Sequence, residues 1–161
     1  MIVALCILGF LGLVMILIYN SLIGRKNQVE NAFGSIDVYL KKRSDLIPSL
    51  VATVKGYMDH EKDLLTKITE LRNQAKEQSN YSNNRVGTEN EITEKIGALF
   101  VAVEAYPDLK ASENMLMLQR SINEIEAQLS ASRRAFNASV TDYNNGVETF
   151  PNSIVAGMMK Y

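Results

Sequence analysis

The chain has 161 residues, a net charge of -1 and a sequence pI of about 5.9. That length holds one domain beside a membrane segment, and the near-balanced charge argues against nucleic-acid binding, which needs a basic face. Its one cysteine, Cys6, excludes an intramolecular disulfide and leaves the redox compartment unread.

Met1 to Gly24 contains no Asp, Glu, Lys, Arg or His, and Ile2 to Ile18 is almost wholly Leu, Ile, Val, Met and Phe. A bilayer core about 30 Å thick needs roughly 20 apolar helical residues to cross it. Tyr19 and Asn20 mark an interface, and Arg25 and Lys26 mark water. A cleaved signal peptide would need a positive leading segment and a small-x-small cleavage site. No Lys or Arg precedes Arg25, and Ile18-Tyr19-Asn20 and Leu22-Ile23-Gly24 match such a site poorly. The expectation is an uncleaved membrane anchor over residues 1–24. Lipid attachment at Cys6 is disfavoured because Val3-Ala4-Leu5 is neither charged nor a full apolar core.

Beyond the anchor, Leu22, Val29, Phe33, Ile36 and Leu40 recur at mostly three- and four-residue steps, as on one face of a helix. The pattern runs on through Ile47, Leu50, Val54, Tyr57, Leu64, Ile68 and Leu71. Lys41, Lys42 and Arg43 read as a solvated stretch. Pro48 leaves two courses open: a kink in one helix, or a hairpin whose second helix has Ser44 or Asp45 as N-cap. Arg25 to Arg43 would rise about 28 Å and Leu46 to Ser79 about 50 Å, so a hairpin would return past the membrane surface unless it tilted.

Gln78 to Gly87 is rich in Asn and Ser and reads as a loop, followed by a capping box at Thr88 and Glu91. Ile92, Ile96, Leu99 and Val103 form the next stripe, which ends before Pro107. Ser112 is the expected N-cap of the last helix. Its stripe, Met115, Leu118, Ile122, Ile125, Leu129, Ser132 and Phe136, alternates three- and four-residue steps, the spacing of a coiled-coil seam. The stripe continues through Val140, Tyr143, Val147 and Phe150. Asn144 to Gly146 are expected to fray it and Pro151 to stop it. The apolar tail, residues 152–161, is too short to span a membrane; the bundle, the bilayer or a neighbour could receive it. The fold expected is all-α: a single N-terminal transmembrane helix, then an antiparallel, up-and-down helical bundle of long amphipathic helices over residues 25–151.

Two blocks go beyond periodicity. The segments from Tyr19 to Lys62 and from Tyr106 to Gly157 carry the phrases DLIPSLV, YPDLKASEN, RRAFNASVTDYN and TFPNSIVAG in that order. They closely resemble the LemA family of bacterial membrane proteins. The resemblance implies a short N-terminus, one membrane helix and a helical-bundle domain. It also implies links to internal bacterial membranes or to membrane proteases. It supplies no catalytic or ligand-binding residue to carry over.

The residues themselves assemble little chemistry. His60 is the one histidine, among Asp59, Glu61 and Asp63, but a zincin-like pair would need a second histidine where Leu64 stands. Arg133 and Arg134 beside Phe136 read as solvated or paired cations rather than a phosphate or lipid site. Glu104, Asp108 and Glu113 around Pro107 read as caps and solubilising charges. The triplets Asn80-Tyr81-Ser82 and Asn137-Ala138-Ser139 match the glycosylation pattern by coincidence. Gly9 and Gly12 do not have the GxxxG spacing of close membrane-helix pairs. No catalytic, cofactor-binding or metal-binding residue is assigned, and no cofactor or small-molecule substrate is expected.

The function expected is a membrane-anchored, non-enzymatic protein that works through self-association and protein or membrane contact. An adaptor for a membrane protease is the alternative, and a metal-binding or enzymatic centre at His60 comes last. Arg25 and Lys26 place the bundle on the cytoplasmic side of a bacterial inner membrane by the positive-inside rule.

Overall fold

The computed structural model describes residues 1–58, 60–78 and 82–159, and every regular element among them is a helix. They are α1 (Ile2–Lys55), α2 (Lys62–Glu77), α3 (Asn83–Val103), α4 (Pro107–Lys110), α5 (Glu113–Glu148) and α6 (Asn152–Met159). The fold is therefore all-α, with one N-terminal helix long and apolar enough to cross a membrane. The helices divide into two compact units, Asp37–Leu129 and Met1–Ile36 with Ser130–Tyr161.

The first of these units is the bundle. Its core is largely the expected stripe: Ile47, Leu50 and Val54 of α1, Ile68 and Leu71 of α2, Ile92, Ile96, Leu99 and Val103 of α3, and Met115, Leu118 and Ile122 of α5; at the start of α2 the buried residue is Leu65, and the expected Leu64 is only partly buried beside it. Each helix has one apolar face, and none of these faces could be buried alone. Polar contacts give the directions. The Arg72 side chain of α2 meets Ser44 of α1, and Lys55 and Lys62 share a groove, so α2 runs back along α1. Lys67 pairs with Glu91 at 3.4 Å across the next antiparallel turn. α3 then climbs beside α1, with Arg85 on Asp37 at 3.1 Å and Glu89 on Arg43. Pro107 opens the single turn α4, where its missing N–H does no harm, and α5 descends from there.

Pro48 lies inside α1, which passes it without a break, so the hairpin course is excluded. The reason is visible in the hydrogen bonds. A proline inside a helix cannot donate to the carbonyl four residues earlier, which here belongs to Ser44. Arg72 of α2 fills that vacancy: its Nε–H donates to the Ser44 carbonyl at 2.7 Å. The neighbouring helix thus completes the hydrogen-bond ladder that proline interrupts.

Other expectations are corrected. The stripe does not run unbroken from α1 to Leu71. α1 ends at Lys55, before Gly56, a poor helix former. Tyr57 and Met58 both donate their amides to the Val54 carbonyl, which puts Met58 under the core and leaves Tyr57 exposed. The Gln78–Gly87 loop is shorter than its composition suggests, because α3 starts at Asn83 with the Ser82 hydroxyl accepting from the Asn84 amide at 3.2 Å. Thr88 is consequently no cap: it is buried inside the helix and bonds back to the Asn84 carbonyl. Ser79, Asn80 and Tyr81 of that loop lie outside the described residues, as do Lys160 and Tyr161 of the tail.

In the second unit, α1 and α5 pack antiparallel. Phe33 meets Phe136 edge to face with ring centroids 5.8 Å apart. α5 does not fray at Asn144 to Gly146; it continues to Glu148. Arg25 holds it there, donating to the Asp142 carbonyl at 3.0 Å and pairing with the Asp142 carboxylate. The Arg25 side chain lies directly over Gly146, where a Cβ would come within 2.7 Å of it. After Pro151 the tail folds as α6, burying Val155 and Ala156 against Leu22. Phe150, expected in the stripe, is exposed.

The Arg72 bond predicts an energetic coupling to Pro48. Arg72→Met should lower the stability of the full chain in detergent by about 1–3 kcal/mol, since it strands a carbonyl. In a Pro48→Ala background, where residue 48 regains its N–H, that loss should fall to less than half. Chemical denaturation of the four variants measures it, and an equal loss in both backgrounds would contradict the assignment.

Candidate functional site

The most unusual group in the bundle is a charge where a leucine would be expected. Leu40, Arg43, Ile47, Leu50 and Val54 follow one another at steps of three and four, so Arg43 occupies a core position of α1. It is 1% exposed. The expectation that Lys41, Lys42 and Arg43 form one solvated stretch is therefore corrected: the lysines are exposed and the arginine points inward.

Burying a guanidinium requires partners for its donors. Glu89 of α3 supplies its carboxylate and also its backbone carbonyl, which accepts from Arg43 Nη2 at 3.0 Å. Glu126 of α5 supplies a second carboxylate on Nη1. The Thr93 hydroxyl accepts from Nη1 and donates to the Glu89 carbonyl at 3.2 Å. Glu89 is buried as well, and Arg85 approaches its carboxylate while pairing with Asp37. Glu89 extends the Ile92, Ile96, Leu99 stripe and Glu126 lies beside Ile125 in the seam of α5. Three helices thus place a charged residue at one level of an otherwise apolar interior.

The arrangement is closed. The guanidinium is engaged from several sides by protein oxygens, so it is built to join helices rather than to hold a ligand. Its matched charges also fix register: sliding any of the three helices would leave a charge buried without a partner.

The residues singled out for chemistry are not brought together. His60 is exposed in the connection between α1 and α2, and Asp59 lies outside the described residues. Glu61 is turned to the bundle, accepting from the Tyr106 hydroxyl at 2.7 Å, and Asp63 sits in the first turn of α2. Among the described residues no group of three His, Cys, Asp or Glu side chains converges as a metal site. Arg134 is exposed and donates to Ser130 at 2.8 Å, and Arg133 is half-buried. Glu104 pairs with Lys110 at the surface, while Asp108 and Glu113 lie in the first turns of α4 and α5, where acidic groups favour the helix dipole. Asn137 and Ser139 lie within α5. Gly9 and Gly12 have open space around them. An open groove of about 600 Å³ between α1 and α2 has Val51, Met58 and Leu65 in its wall and Lys55 and Lys62 along its edge.

The model of the LemA family matches residues 32–161. A curated relative, "Protein LemA" of Metamycoplasma hominis, is 30% identical over 137 residues, which cover 85% of this chain and 63% of the relative. The chain thus spans less than two thirds of the length of that relative.

The closed layer makes a distinctive prediction about substitution. Arg43→Met should destabilise the protein by about 3–5 kcal/mol, because Glu89 and Glu126 lose the cation that compensates them. Combining it with Glu89→Leu and Glu126→Leu should restore most of that stability, whereas Lys41→Ala should change it by less than about 0.5 kcal/mol. Denaturation midpoints of the full chain report all three. A triple variant less stable than Arg43→Met alone would refute the charge-matching account.

Proposed function

This chain belongs to the LemA family, and from that premise we propose that it is a membrane-anchored, non-enzymatic scaffold that works by self-association and by contact with the bilayer or other membrane proteins. The observation that carries this reading is where the chain commits its polar chemistry and where it commits its apolar surface. The interior charges of the bundle engage one another in the Arg43 layer. The largest apolar surface is instead the outside of α1, where Ile2, Leu5, Leu8, Phe10, Leu13 and Leu17 are all exposed. Contiguous apolar surface of that extent marks an interaction site, and on a helix of this length the natural solvent for it is lipid.

Anchoring makes self-association cheap. Chains held in one membrane meet at a high effective concentration, so modest contacts suffice. Tyr57, Val101 and Met117 are exposed at the end of the bundle where α1 and α3 stop and α5 begins, and they offer such contacts. Arg25 and Lys26, following the apolar run, favour the cytoplasmic face of a bacterial inner membrane for the bundle.

The mass of the intact protein tests this. Extracted in mild detergent, the complex should weigh a multiple of the 18.0 kDa chain, and cross-linking in the native membrane should trap the same species. A strict monomer that captures no partner in the membrane would contradict the scaffold reading.

A further inference from the structure

We propose that α6 is itself embedded in the bilayer, dipping beside the apolar part of α1 with Ile154 and Met158 turned to the acyl chains. The proposal rests on the reading of α1 as a membrane span and adds a second lipid-facing element to it.

The position of α6 along α1 carries the argument. Val155 and Ala156 are buried against Leu22, with Ile18, Val147 and Met159 packed around them. Further along, Met158 and Met159 share an apolar hollow with Met15, Ile16 and Tyr19. All these α1 residues precede Arg25, the first charge after the apolar run. Met15 is ten residues before Arg25, which at 1.5 Å per residue is about 15 Å along the axis. That is about half of a hydrocarbon core roughly 30 Å thick. Wherever α1 crosses, α6 goes with it.

The chemistry of α6 suits that depth. Residues 149–159 carry no charge. One face is covered by α1, and the other presents Ile154 (56% exposed) and Met158 (69% exposed), one helical turn apart, just after exposed Phe150. This face continues the exposed apolar surface of α1. Lipid also demands that backbone donors be satisfied within the chain. At the start of α6, the Ser153 amide donates to the Thr149 carbonyl at 2.9 Å and the Ile154 amide to the Pro151 carbonyl at 3.2 Å.

Because the chain has no tryptophan, single reporters can be placed at will. Phe10→Trp, Ile154→Trp, Met158→Trp and Val101→Trp variants of the full chain would be put into phosphatidylcholine vesicles with bromines at defined acyl depths. Circular dichroism of each confirms the helical fold. Ile154→Trp and Met158→Trp should emit at shorter wavelength than Val101→Trp and lose most of their emission to brominated lipid, with Met158→Trp responding to the deeper bromines. Quenching of both by aqueous iodide, with Phe10→Trp still quenched by lipid, would overturn the placement of α6 and leave the anchor standing. Shielding of both from iodide and from bromine would mean that a second copy covers the face, and would overturn it too. Loss of lipid quenching at Phe10→Trp as well would overturn the anchor itself.

Discussion

One helix in this protein must satisfy two solvents without a break. The first part of α1 is apolar all round, as a lipid-facing segment has to be, and from Leu22 onward it narrows to a single apolar stripe facing other helices. Its backbone hydrogen bonds must hold through both regimes, because in lipid no water can replace a missing one. The weak point is Pro48, where an interior proline typically costs about 3 kcal/mol. The Arg72 bond to the Ser44 carbonyl offsets part of that cost and ties α2 to α1 at that level.

A second constraint acts inside the bundle. Apolar stripes alone tolerate sliding, since one leucine fits another's place nearly as well. Arg43, Glu89 and Glu126 remove that freedom, because their charges are matched at one level only. A buried ion pair is weak support for stability but a strong penalty against misalignment. Arg25 and Asp142 play a related part where the apolar run ends, with Gly146 leaving room for the arginine to lie across α5. Each unit thus has one arginine that fixes how α1 and α5 meet within it.

Much of this was legible in the residues. The apolar run, the stripes of α2, α3 and α5, and the stop before Pro107 follow from composition and period. What escaped was tertiary. The inward turn of Arg43 is marked by the seven-residue step from Leu40 to Ile47, the signature of a polar residue in a core position, but it is masked by Lys41 and Lys42, because runs of like charge are usually solvated. The survival of α1 at Pro48 depends on a side chain 24 positions later, which no local rule reveals. The persistence of α5 through Asn144 and Asn145 likewise depends on Arg25, a contact that outweighs weak local propensity.

Amide hydrogen exchange of the full chain in lipid nanodiscs, resolved to single residues, tests the continuity of α1 most directly. An α1 helical throughout Ile2–Lys55 predicts slow exchange from the first satisfied amides near Cys6 through to Lys55, with rapid exchange beginning only at Gly56. A fast-exchanging window near Arg25, or on either side of Pro48, would show two separate helices and contradict the account.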